Sequence, residues 1–433
     1  MEKQRLPRIA WFSRFNQDGK VATNSASAYC SEVLLPIVHR AFEVDLFGKD
    51  EGHFNDQRIL HYATAGTRHK DNPYDLFFYQ LEDSLECDFI KIHLGLIPGV
   101  TLFHDIAWST DAPAPITFSV WREFLASFNL GDNSVAIPKY KQPDSGVSPL
   151  REILLSPISL YSSPSKCAWS RTYAKTSLAR IPEFIGSDKI YLPYPVTVSR
   201  HINPVPSGKK QPRVGIYGEA TTESRIEKIL QALREFSVEL VWLTPEMYVP
   251  KAERLLAEYG LRNTKIIPED SLDSWVKMLP SFDVAFLPYH GEKGGLGPKI
   301  PMSLAAGVPT IVSDTEENRY LPESVVFKVS PGDQEVLGFK EYLHNLLALA
   351  PRDLDILKAS FRGYALENHA AEIIGRELCA VFTRAILDLA GLKKRWQEVI
   401  SKARADVIEN NLQDYDESLV GPIFDEMGWR HNG

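Results

Sequence analysis

Short apolar runs alternate along the first half of the chain with stretches whose apolar residues recur at helical spacing. RIAWFS (Arg8–Ser13) predicts a strand, and SASAYCSEVLLPIVHRA after it predicts a helix. EVDLFG (Glu43–Gly48), YDLFFYQL (Tyr74–Leu81) and VTLFHDIAW (Val100–Trp108) predict further strands, with a helical stretch between the last two. LREILLSPISLYSSPSKCAW predicts a helix and then a strand. Continuous apolar strands separated by helices imply a parallel sheet covered on both faces.

The pattern then restarts. PRVGIYG, VELVWLT, TKIIPED, DVAFLPYH and PTIVSD predict strands. ESRIEKILQALREF, a stretch near Pro250–Tyr259 and another from Ser271 predict the helices between them. Amphipathic helices follow near Lys340–Ala350, Asp353–Ala365 and Ala370–Ala390. The expected architecture is α/β, with two doubly wound, Rossmann-like parallel-sheet domains facing a cleft and a helical C-terminal extension. The expected divisions are residues 1–195, a proline-rich linker at 196–212, a second domain at 213–375, and closing helices with a tail at 376–433. Residues Ala112 to Pro149 show no clear period, and a loop that long is usually functional or mobile.

Composition changes this picture little. A chain of 433 residues suits two domains of about 200 residues each. Hydrophobic residues make up 44% and charged residues 24%, as in ordinary globular chains. The net charge of −8 comes without a basic stripe, which argues against a nucleic-acid partner. Cys30, Cys87, Cys167 and Cys379 stand singly, and none pairs at zinc or redox spacing. No apolar run reaches transmembrane length and no signal peptide opens the chain, so a cytoplasmic protein is expected.

Candidate chemistry concentrates in GEKGGLGPKIPMSLAAGVPTIVSD, Gly291 to Asp314. It follows a strand, so its loop is expected at a carboxyl sheet edge, where doubly wound folds bind ligands. Gly291, Gly294, Gly295 and Gly297 permit close backbone approach, and Pro298 suits a first helical position. A helix N-terminus holds phosphate through unpaired N–H groups, and Lys293 and Lys299 add charge nearby. The plainer alternative is a turn with two solvated lysines.

The same stretch, LPYHGEKGGLGPKIPMSLAAGVPTIVSD, resembles the nucleotide-sugar-binding domain of family-four (group 1) retaining glycosyltransferases with the GT-B fold. ENHAAEIIGRELCAVF resembles that family's closing helices, and SASAYCSEVLLPIVHRAFEVDLFG its opening unit. YDLFFYQLEDS and LFHDIAW resemble its strand ends and REILLSPISLYSSPSKCAWSRTYA the segment before its last N-domain strand, so the resemblance spans most of residues 7–390. It implies a metal-independent transferase moving a sugar from a nucleotide-diphosphate donor to a hydroxyl with retention, and needing no cofactor. His104, Asp105 and Lys299 are the implied catalytic residues, with His104 meeting the donor sugar or the leaving diphosphate. Gly291, Glu292, Gly294, Gly295, Leu296, Gly297, Gly218 and Arg225 are the implied donor-binding residues. Asn24, Ser25 and Gln80 are placed on the acceptor side, with Asn24 or Ser25 capping the first helix. Tyr79 would border the same side.

The sequence departs from the family at four positions. Its two glutamates fall on Gly294 and Met302, and its arginine–lysine diphosphate clamp on Glu219 and Ser224. Glu292 is a substitute for the first glutamate, and Arg225 with Lys228 for the clamp, unless those two are simply solvent-facing helix charges. The departures keep open a non-catalytic GT-B partner or scaffold that has lost the donor site. An epimerase or phosphorylase on the same fold would want carboxylates that the sequence does not place. No P-loop, nucleophile elbow, HExxH or early GxGxxG is present, which disfavours nicotinamide chemistry. Expected partners are a nucleotide sugar and a glycan, lipid-linked, protein or small-molecule acceptor. Homo-oligomerisation stays open. The tail from Leu392 to Gly433 is expected to pack on the first domain or on a second subunit.

Overall fold

A computed structural model describes residues 5–16, 25–97, 99–106, 108–109, 146–147, 152–153, 156–177, 188–197, 211–221, 225–268, 271–288, 297–391 and 394. Contacts divide the chain into two compact units. The first takes Met1–Gly19, Leu35–Leu192 and Arg376–Gly433; the second takes Lys20–Leu34 and Pro193–Gly375.

The first unit carries an eight-stranded sheet. Its strands are β1 (Arg8–Phe12), β2 (Glu43–Gly48), β3 (Gly52–Phe54), β4 (Gln57–His61) and β5 (Leu76–Leu81), then β6 (Val100–Phe103), β9 (Ile158–Tyr161) and β10 (Asp188–Tyr191). A separate antiparallel pair joins β7 (Trp108–Ser109) to β8 (Gly146–Val147). The sheet order is β10-β9-β6-β5-β1-β2-β4-β3, with every pair parallel except β3–β4. That last pair is a hairpin the sequence did not announce. Asn55 and Asp56 turn it at φ 49° and 63°, the left-handed geometry of a two-residue hairpin loop. The expected long strand from Val100 to Trp108 is also shorter, stopping at Phe103 before the chain turns through His104 and Asp105.

The core of this unit is aromatic. Trp11, Phe12, Phe47, Phe78, Phe103 and Tyr161 are fully buried. Trp11 meets Phe78 edge-on at 4.5 Å. Phe382, from the Ala371–Leu387 helix, packs on Trp11, Phe42 and Phe78. Each such burial is worth about 1.5–3 kcal/mol. Tyr79 belongs to this core: it is fully buried and its hydroxyl donates to the Ile97 carbonyl at 2.7 Å. The expectation that it borders an acceptor is therefore corrected.

The second unit carries six parallel strands, β11 (Arg213–Tyr217), β12 (Glu239–Thr244), β13 (Thr264–Pro268), β14 (Val284–Leu287), β15 (Thr310–Ser313) and β16 (Phe327–Val329). Their order is β13-β12-β11-β14-β15-β16. Alternate residues of β12 enter two different apolar clusters: Val241 and Leu243 join one, Leu240 and Trp242 the other. Both faces of the sheet are thus covered, as continuous apolar strands require. Ser25 opens the Ala26–Val38 helix and caps it, its hydroxyl accepting from the Ala28 N–H at 3.0 Å. Tyr29 on this helix packs against the cluster of Val241 and Leu243.

The expected loop at Ala112–Pro149, apart from Gly146 and Val147, and the expected tail packing, apart from Lys394, lie outside the described residues. So do residues 198–210 of the expected linker. Among the described residues no helix is long and apolar enough to cross a membrane.

Candidate functional site

In doubly wound sheets the strand order reverses at one point, and ligands favour the carboxyl edge there. In the first sheet this point lies between β1 and β5, since β1 pairs with β2 on one side and β5 on the other. In the second it lies between β11 and β14, since β11 pairs with β12 on one side and β14 on the other.

At the first edge the polar side chains bond one another. Gln80, near the end of β5, is fully buried, and its Nε2 donates across the reversal to Ser13 Oγ at 3.2 Å. Its Oε1 lies 3.0 Å from His104 Nε2. His104 follows β6 directly and is 1% exposed. Its backbone N–H donates to the Leu81 carbonyl at 2.8 Å. Its own carbonyl accepts from Lys166 Nζ at 2.5 Å and from Ser162 Oγ at 3.4 Å. Burial, and secondarily the Lys166 charge, push the His104 imidazole down to about 3, so it is neutral at ordinary pH. Asp105 turns the other way, its carboxylate accepting the Asp83 N–H at 2.9 Å and tying two strand-end loops together.

Gln80 is thus a scaffold for His104 rather than an open acceptor-side group, because its amide is spent inside the protein. Lys166 and Ser162 were not foreseen. In SSPSK a lysine in the first turn of a helix looks solvent-facing, yet Lys166 is 2% exposed. Only the position of SSPSK directly after a strand could have flagged it.

At the second edge, β11 runs into Gly218, whose φ is +148° and whose carbonyl accepts from Trp242 Nε1 at 2.9 Å. After β14 the chain reaches Gly297 at φ +59°, a left-handed position that suits glycine. Pro298 then caps the Lys299–Ala306 helix. The Lys299 ammonium stands 4.7 Å from the centre of the Tyr217 ring, an electrostatic contact worth about 0.5–2 kcal/mol. Lys299 and Gly218 therefore come together at the reversal point. Trp275 meets the same tyrosine edge-on at 5.4 Å.

Every residue of that helix after Lys299 is buried, Met302 among them at 4% exposure. A carboxylate at this position would enter an apolar cluster, so methionine there is a packing residue. Arg225 takes left-handed φ (53°) and sits with its guanidinium 3.7 Å from the fully buried Glu335 carboxylate. Its guanidinium thus faces a protein carboxylate. Ser25 is buried with its hydroxyl on the Ala28 N–H and near Ser27 Oγ, and it groups with the second unit. It is a helix cap, not an acceptor contact. Glu219 is exposed. Asn24, Ser224, Gly291, Glu292, Gly294, Gly295 and Leu296 lie outside the described residues.

A groove lined by Arg8, Thr64, Arg68 and Asn72 lies at the opposite, amino end of β1. Arg8 there already meets Glu43 at 3.1 Å and Asp45 at 2.9 Å, so its cation is paired.

No protein-family model matches the sequence, and no curated protein matches it. Solved structures do. A sucrose-phosphate synthase from Thermosynechococcus elongatus is 14% identical, covering 88% of this chain and 99% of its own at a TM-score of 0.63. The α,α-trehalose-phosphate synthase (UDP-forming) from Burkholderia vietnamiensis is 10% identical, covering 89% and 98% at 0.58. The chain has the GT-B glycosyltransferase fold. A third such structure, Anabaena HepE in complex with UDP and glucose, is 13% identical and covers 87% and 99% at 0.57. At these identities the likeness speaks for the fold of both sheets, and the chemistry rests on the two edges.

Proposed function

We propose that this GT-B chain is a retaining, metal-independent glycosyltransferase that moves a sugar from a nucleotide-diphosphate donor to a hydroxyl acceptor. The observation that carries the reading is Lys299 over Tyr217, beside Gly218, at the reversal point of the second sheet. A diphosphate leaving group gains charge in the transition state, and a fixed ammonium stabilises that charge without reorganising. The lysine opens a helix, whose N-terminal dipole favours the same sign of ligand. The neutral His104 would orient the sugar. At 1% exposure it reaches a sugar only on local opening, so Lys299 supports the reading more directly. HepE, with its UDP and glucose, makes uridine diphosphate sugars the first donors to try.

A second reading, a non-catalytic GT-B partner, is favoured by Met302. The position the family resemblance gives to a ribose-gripping glutamate is packed into an apolar cluster. Thermal shift with uridine, adenosine, guanosine and thymidine diphosphates separates the two readings, since a ligand that binds only the folded state raises Tm. The transferase reading expects a rise with at least one of them, and donor turnover that persists in EDTA. Flat melting curves at millimolar nucleotide would favour the partner.

A further inference from the structure

Two helices meet at His369 and Ala370. The Pro351–Asn368 helix ends there and the Ala371–Leu387 helix begins. Helix ends leave backbone groups without partners inside the helix, and buried ones need partners elsewhere. Here one residue, Val196, serves both ends. Its N–H donates to the His369 carbonyl at 2.7 Å, and its carbonyl accepts from the Ala371 N–H at 3.0 Å. Val196 is 1% exposed and lies in the apolar cluster of Val241 and Leu243. Two residues earlier, the Tyr194 carbonyl lies 3.0 Å from His369 Nδ1. A carbonyl only accepts, so Nδ1 carries the hydrogen and donates it.

The chain passes between the units for the last two times beside these segments. One division falls at Leu192–Pro193 and the other at Gly375–Arg376. Tyr194, Val196, His369 and Ala371 all lie inside the second unit. We propose that Tyr194–Val196 and His369–Ala371 form one clasp, pinned by the His369 Nδ1–H, so that these two crossings open and close together. Independent linkers would each fray alone.

The ring fits that role. Among the described residues its Nε2 is buried and has no hydrogen-bond partner, so the bond to Tyr194 is the one that the imidazole makes. Burial favours the neutral ring, with the Tyr194 carbonyl opposing the shift. A neutral ring with its hydrogen on Nδ1 leaves Nε2 bare, and a bare nitrogen needs no acceptor in an apolar surrounding. Tyr364 packs against the ring with centroids 5.9 Å apart. A leucine could fill this space but could not donate. An asparagine could donate, because its amide nitrogen stands as many bonds from Cα as Nδ1 does. The inference requires no ligand, so it holds whether or not the chain turns over a donor.

The test is hydrogen exchange of the full chain at single-residue resolution, read at the Val196 and Ala371 amides. In the parent chain the two should be protected alike. His369→Leu should lower both protection factors together, by roughly two- to tenfold for one lost hydrogen bond. His369→Asn should restore them, which a role in packing alone does not predict. Unchanged protection in β12 and β14 reports that each variant is folded. If His369→Leu does not fold, the parent chain still decides the matter. Its 15N-histidine spectrum at neutral pH, assigned by the signals lost in His369→Asn, should show Nδ1 protonated and Nε2 bare. Parent protection differing between the two amides by more than about tenfold would mean separate openings and overturn the clasp. So would a leucine variant that loosens one amide or neither, an asparagine variant no better than leucine, or a ring protonated on Nε2 instead.

Discussion

At the reversal point of the first sheet, polar side chains bond one another: Ser13 to Gln80, Gln80 to His104, and Lys166 to the His104 carbonyl. At the matching point of the second, a lysine stands over a tyrosine ring beside glycines with positive φ. The same topology thus presents a buried edge whose polar groups bond one another in one unit, and a lysine over an aromatic ring in the other. Burial explains the contrast. Gln80 and His104 lie out of water, where an unbonded polar group costs about 1–3 kcal/mol, so the first edge has to satisfy itself. Lys299 is half-buried.

Acid should separate the units by the largest margin. His93 and His104, both in the first unit, are held neutral by burial with pKa values near 3, whereas an unfolded histidine titrates near 6.5. The sign follows from the depressed folded value. Their contribution is intact above about pH 6.5 and is lost as pH falls toward 3, because the unfolded chain takes up protons first. Each costs about 2 kcal/mol by pH 5. In the second unit His369 shifts the same way through burial, opposed by its bond to the Tyr194 carbonyl. Pulse-labelled hydrogen exchange between pH 7 and 5 should show β5 and β6 losing protection before β11 and β14. Simultaneous loss would erase the contrast.

Next in size is Lys299→Ala. A charge-assisted contact is worth about 1.5–3 kcal/mol, so nucleoside diphosphate affinity should fall roughly ten- to a hundredfold with Tm nearly unchanged. His104→Ala should leave that affinity within about twofold and lower turnover instead, since its expected partner is uncharged. Calorimetric titration beside a donor-turnover assay reads both. Equal loss of nucleotide affinity in the two variants would mean the edges are not divided by charge. Tyr217→Leu sharpens the point: removing the ring beneath the ammonium should weaken nucleotide binding by a few-fold, since a cation–π contact is worth about 0.5–2 kcal/mol.

How much of this was legible in the sequence differs between the edges for a physical reason. RIAWF and VAFL read as strands because a covered parallel strand is apolar on both faces, a signal local to a few residues. The glycine–proline–lysine run before the Lys299 helix was equally local. The first edge was not. Ser13, Gln80, His104 and Lys166 come from four separate stretches of sequence, and only the order β9-β6-β5-β1 makes them neighbours. Periodicity reports that a residue is buried, not which strand lies beside it. Met302 shows the converse: its apolar character was plain, but that its helix is buried along nearly its whole length emerged only from packing.

The smallest expected effect bears on where the comparison draws its line. Residues Lys20–Leu34 precede most of the first sheet in sequence, yet their contacts assign them to the second unit. Ser25 caps their helix, Tyr29 packs on the cluster of Val241 and Leu243, and burial, chiefly, raises the Tyr29 phenol well above its usual range. Ser25→Ala removes one cap, which costs about 1 kcal/mol. If the helix start belongs energetically to the second unit, that loss should appear there. Exchange protection should weaken in the Leu272–Met278 helix, which supplies Leu272 and Trp275 to the same cluster, while β5 and β6 hold. Weakened β5 and β6 with an unchanged Leu272–Met278 helix would return the segment to the first unit. Ser25→Asp, which preserves a capping oxygen, should restore most of the protection and show that the cap, rather than the volume of the side chain, was responsible.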